Sequence, residues 1–200
     1  MNKKVIWLGL GILVLAAMLL AACNISTSIS TSSTTATTAT STAAAGPIAL
    51  TVTNGSTTKT YSLTGLQALT SVTGFGGMKG KGGMVTGPFS YQGVALTDLL
   101  NAVGGVSSGQ SVKLTGSDGY SKTLTYDQIT NGGFNTYDTS GNPVTPQTKP
   151  ILAVVYSSNG APLDASTGPT ELGLLYSQNL VSDGDTWVKL LVKVDIVAAQ

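Results

Sequence analysis

Phe89-Ser90-Tyr91-Gln92-Gly93-Val94-Ala95-Leu96-Thr97-Asp98-Leu99-Leu100 passes from strand to helix without a break. Phe89-Ser90-Tyr91 has the aromatic, alternating pattern of a strand, and Gly93 to Leu96 leads into a helix predicted over 97–103. Thr97 is placed to cap that helix, Asp98 suits its positive end, and Gly104-Gly105 stops it. Upstream, Ile48 to Thr53 alternates apolar and polar, turns at Asn54-Gly55 and resumes from Lys59 to Leu63, which reads as a hairpin. Thr64-Gly65-Leu66-Gln67 then has capping-box spacing and predicts a short helix to Leu69. Downstream, strands over 112–115 and 120–125 flank a Ser117-Asp118-Gly119 turn, and Thr125-Tyr126-Asp127-Gln128 repeats the capping-box spacing. After a loop holding Pro143, Pro146 and Pro150 come an apolar strand at 151–156, a turn at Asn159-Gly160 and a β-rich closing segment over 187–197. Short strands and short helices without regular βαβ alternation predict one α+β domain over residues 47–200. Its 154 residues are enough for a single packed core.

The residues before that domain read as an address and a tether. Lys3 and Lys4 precede an unbroken apolar run from Val5 to Leu20, and Leu20-Ala21-Ala22 stands directly before Cys23. A charged start, an apolar stretch and small residues at a cleavage point are the parts of a secretory signal, here residues 1–22. The Leu-Ala-Ala-Cys ending resembles a prokaryotic lipobox, which implies lipidation of Cys23. The alternative is an uncleaved transmembrane anchor, since the run is nearly long enough to span a bilayer. Either reading leaves the domain extracytoplasmic and held at the membrane. From Cys23 to Gly46 the chain is almost wholly Ser, Thr and Ala, too poor in apolar groups to offset the entropy of ordering. It reads as a flexible stalk with a reach of roughly 25–30 Å.

Composition excludes several chemistries. All ten cations among the 200 residues are lysines, there is no histidine, and the one cysteine is Cys23. No histidine-based triad, imidazole or thiolate metal cluster, or disulfide framework can be built in the domain. A net charge of +1 gives no footprint for nucleic acid. Phe75 to Gly87 is glycine-rich and carries Lys79 and Lys81, but it fits neither the dinucleotide fingerprint nor the phosphate loop, and it reads as a mobile surface loop. Met78 and Met84 make a poor copper(I) pair without histidine or cysteine. Asp183 and Asp185, with Asp164 or Glu171, are a weak calcium pattern that reads better as a turn.

Taken in order, four segments resemble the oxidoreductase molybdopterin-binding domain, the fold of the sulfite oxidase family. They are Gly93-Val94-Ala95-Leu96 to Leu100, Ser117-Asp118-Gly119-Tyr120, Asn159-Gly160-Ala161-Pro162-Leu163 with Gly168-Pro169, and Trp187-Val188-Lys189 to Val197. The resemblance implies mixed β-sheets with short helices and a molybdopterin cofactor held through one protein cysteine. That cysteine would fall between Leu69 and Gly87, where this chain has none. The family also uses arginine and histidine around the pterin phosphate, and its basic position in the Gly-Pro stretch corresponds to Glu171 here. No family catalytic residue carries over, and the residues themselves imply no cofactor. Two readings stay open. One is a membrane-anchored, non-catalytic module that binds a small ligand or an envelope protein, through Lys79, Lys81, Asp118 and Tyr120 on the loops. The other is a divergent oxidoreductase that holds a molybdenum or tungsten pterin without a cysteine ligand.

Overall fold

The computed structural model describes residues 46–199. The signal segment, Cys23 and the stalk up to residue 45 lie outside the described residues. Strands β1 (Ile48–Asn54) and β2 (Thr57–Ser62) form the expected hairpin. Helix α1 (Leu63–Gln67) follows at once, capped by Ser62, whose Oγ accepts from the Gly65 amide at 3.0 Å. The cap therefore sits two residues before the Thr64 that the spacing suggested. Strands β3 (Ser71–Lys79) and β4 (Val85–Ala95) form a long antiparallel pair, and β4 runs directly into helix α2 (Leu96–Asn101). That helix has no side-chain cap, because Thr97 lies inside its first turn. Strands β5 (Gln110–Gly116) and β6 (Ser121–Thr125) lead to helix α3 (Tyr126–Asn131), where Thr125 and Gln128 close a reciprocal capping box. The rest of the chain supplies β7 (Thr136–Tyr137), β8 (Ile151–Ser158), β9 (Ala161–Pro162), β10 (Glu171–Leu175), β11 (Val181–Asp183), a 3-10 turn (Gly184–Thr186) and β12 (Leu191–Ala198).

Two mixed sheets result. The first has the order β2-β1-β12-β5-β6, with β12 parallel to β1 and antiparallel to β5. It is buried on one face, as alternation requires. Leu50, Val52, Val112, Leu114, Val194 and Ile196 join α2 residues Leu96, Leu99 and Leu100 in the main core. At about 1.5–3 kcal/mol for each fully buried aliphatic side chain, this layer holds the helices to the sheet. The second sheet has the order β10-β8-β4-β3-β11-β7, with β9 on β8. Every residue of β10 and residues 152–156 of β8 are buried, the signature of strands covered on both faces. This sheet curls until Phe75 of β3 exchanges two backbone hydrogen bonds with Tyr176, just past β10, at 2.8 and 2.7 Å.

The glycine-rich stretch is not a loop. Residues up to Lys79 belong to β3, those from Val85 onward belong to β4, and only the turn between them is irregular. The glycines serve close packing. A Cβ on Gly76 would stand 2.7 Å from the Leu174 carbonyl oxygen and 3.1 Å from the Trp187 ring. The closing segment also differs from its sequence reading. Trp187-Val188 crosses to the second sheet, where the Leu172 amide donates to the Val188 carbonyl at 2.8 Å, and the closing strand begins only at Leu191.

Candidate functional site

The parallel pairing of β3 with β11 sets Lys79 beside Asp183, and the antiparallel pairing of β11 with β7 brings Tyr137 alongside. The Lys79 ammonium donates to the Gly141 carbonyl at 2.8 Å and lies 4.0 Å from the centroid of the Tyr137 ring. The Tyr137 hydroxyl donates to Asp183 Oδ1 at 2.8 Å, and Asn135 Nδ2 donates to Oδ2 at 2.7 Å. Both oxygens of Asp183 are thus occupied. Its carboxylate, by accepting the phenolic proton, pushes the Tyr137 pKa above the usual tyrosine range.

The β5–β6 turn closes the other side. Asp118 Oδ1 accepts from the Tyr120 amide at 3.0 Å, and the Tyr120 hydroxyl donates to the Asp185 carbonyl at 3.1 Å. The Asp185 carboxylate pairs with Lys122 at 3.3 Å. Between these elements lies an open cavity of about 660 Å³, lined by Lys79, Lys81, Tyr120, Tyr137, Asp183 and Asp185 together with Gly80 and Gly184. Of the four residues singled out from the sequence, Lys79, Lys81 and Tyr120 share this cavity. Asp118 does not line it and instead fixes the turn that carries Tyr120. Lys81 makes no ion pair among the described residues. Tyr137 and its neighbour Asn135 have no local signal, because a two-residue strand in long-range register sets them beside Asp183, whereas Lys122 reaches Asp185 from the expected strand β6.

The other candidate groupings do not assemble. Among the described residues no three His, Cys, Asp or Glu side chains come together as a metal site. Asp164 is bound into its own turn through the Ser166 amide at 2.8 Å. Met84 is 75% exposed, whereas Met78 packs on the second core cluster around Tyr91, Leu175 and Trp187. Glu171 is only 2% exposed, and its Oε2 has no hydrogen-bond partner. Burial raises its pKa to about 7, against the opposing pull of the Lys189 ammonium. A second cavity of about 550 Å³, lined by Lys59, Tyr61, Leu69, Val94, Asp98 and Leu99, contains none of the four candidate binding residues Lys79, Lys81, Asp118 and Tyr120.

No family model and no curated protein sequence matches the chain. The fold is nonetheless shared. The sulfane dehydrogenase SoxCD from Paracoccus pantotrophus is similar to this chain with a TM-score of 0.52 at 15% sequence identity, over 74% of this chain and 38% of that one. The chain therefore spans well under half the length of the SoxCD chain it matches. It has the α+β, sulfite-oxidase-type architecture of mixed sheets and short helices expected from the sequence.

A molybdenum–pterin group bound through a cysteine does not fit the residues present. The described residues offer no thiolate, imidazole or guanidinium. Strand β3 occupies the segment where such a cysteine would fall, and Leu174 and Trp187 crowd it at Gly76. The position expected to be basic is Glu171, a carboxyl sealed in the core.

Proposed function

We propose that this chain is an extracytoplasmic lipoprotein, lipidated at Cys23 after loss of residues 1–22. The stalk over 23–46 carries a non-catalytic binding module over 47–200. The module takes a small ligand or an envelope protein at the cavity between Lys79, Lys81, Tyr120 and Asp185. The observation that carries this reading is the donor set. The cavity joins two lysines, two tyrosines and two aspartates on a rigid frame and contains no group suited to hold a molybdenum–pterin centre. Binding sites are concave and place a few polar groups whose orientation is fixed by their neighbours.

Two measurements test the reading. Palmitate labelling of the full chain in its host is expected to disappear in Cys23→Ala, and label that persists would remove the anchor. The purified full chain, incubated with molybdopterin released from a molybdoenzyme, is expected to retain none after gel filtration. Retention at near-stoichiometric level would replace the binding module with a divergent oxidoreductase.

A further inference from the structure

The lining of the cavity restricts what it can take. Two lysines face two aspartates, so an anion gains from one pair and loses to the other, and a cation does the reverse. The strongest charges are already committed. Lys79 is held by Gly141 and the Tyr137 ring, Asp183 by Tyr137 and Asn135, and one oxygen of Asp185, Oδ2, by Lys122. What stays available is Lys81, Oδ1 of Asp185 and the side chain of Tyr120, a residue that is 42% exposed and lines the cavity. That ring is anchored at both ends, by Asp118 at its amide and by the Asp185 carbonyl at its hydroxyl, so a ligand need not order it.

We infer that the cavity binds a short, uncharged saccharide, stacked on Tyr120 and hydrogen-bonded by Lys81 and the carboxylate edge of Asp185. The inference rests on the binding-module reading and specifies its ligand. The C–H face of a pyranose ring matches an exposed tyrosine face, an amphipathic surface that is apolar in the middle and polar at the tip. Its hydroxyls both donate and accept, so neighbouring ammonium and carboxylate groups serve them together with no net charge to neutralise. Hydrogen bonds to ionised groups are also the strong ones. A cavity of about 660 Å³ is in the size range of small-molecule sites and has room for a short oligosaccharide.

The test is a two-dimensional amide NMR titration of the full chain with cellotetraose, chitotetraose and maltotetraose. Inorganic phosphate and glutamate are run in parallel. At millimolar concentration at least one saccharide is expected to move the amides of Lys81, Tyr120, Gly184 and Asp185. Tyr120→Ala is expected to weaken that binding by about tenfold or more, with Tyr120→Phe retaining most of it. An amide spectrum of Tyr120→Ala unchanged away from the turn separates loss of stacking from loss of fold. If phosphate or glutamate moves these amides and no saccharide does, the ligand class is wrong and the binding module stands. Silence of all three saccharides overturns the inference even if an envelope protein is later seen to cover the cavity. Retention of molybdopterin in the separate experiment above would overturn the underlying reading instead.

Discussion

Asp183 and Glu171 belong to the same curled sheet and are treated in opposite ways. Asp183, on the cavity wall, has both oxygens filled by Tyr137 and Asn135. Glu171, in the β10 strand, is buried beside the Tyr91–Trp187 cluster with an oxygen that nothing satisfies. The first carboxylate organises a polar wall and is kept at the surface, where its charge is tolerable. The second is a charge the core cannot solvate, so burial drives it toward the neutral acid. Polar residues that fix a site and polar residues that burden a core are thus told apart by their partners, not by residue type.

The largest effect should come from removing the aromatic side of the second core. Trp187 is 3% exposed, rests against Gly76 and Gly173, and donates to Ser182 Oγ at 3.0 Å. Trp187→Ala is expected to lower unfolding stability by about 3–5 kcal/mol in urea titrations. A loss below about 1 kcal/mol would mean that the cluster does not organise this region.

Next is Glu171. Its folded pKa, about 7, lies above its ordinary value of 4.5. The folded state therefore binds the proton more tightly than the unfolded chain. The associated stability is complete below about pH 4.5 and is lost as pH rises through about 7. Over that window the loss approaches about 3 kcal/mol, and Glu171→Gln should flatten it, as read from urea midpoints against pH. Identical pH profiles for the two proteins would erase the contrast between the carboxylates.

Smaller effects belong to the cavity wall. Asp183→Asn removes the charge that raises the Tyr137 pKa, so the ultraviolet titration of Tyr137 should move back down toward 10.0. An unmoved titration would mean that the tyrosine–aspartate bond does not set the wall. The smallest change expected is from Lys122→Ala, because that ion pair is solvent-exposed on the aspartate side. A loss of about 0.5 kcal/mol or less is expected in the same urea assay.

Sequence reading recovered the features with local causes. The Thr125–Gln128 capping box, the β1–β2 hairpin and the Asn159-Gly160 turn depend on neighbours a few residues away and are where they were expected. Strand β3 was hidden because its glycines weaken any strand pattern, and the reason for them lies far along the chain, in Leu174 and Trp187. Strand β10 was hidden because a glutamate opens a fully buried run. Lys81 and Tyr120 are legible from their turns, and Lys79 from its place at the end of β3 beside one of them. Tyr137 and Asn135 are not, since only the register of β7 on β11 brings them to Asp183, Tyr137 on the cavity wall and Asn135 behind it. Asp118 stands in the expected turn but acts by holding Tyr120 in place.

The central claim is that this fold here serves binding without a molybdenum–pterin centre. Elemental analysis for molybdenum and tungsten, with pterin fluorescence on the full chain purified from its native host, tests it most directly. The account predicts neither metal nor pterin above trace. Near-stoichiometric metal together with pterin would contradict it.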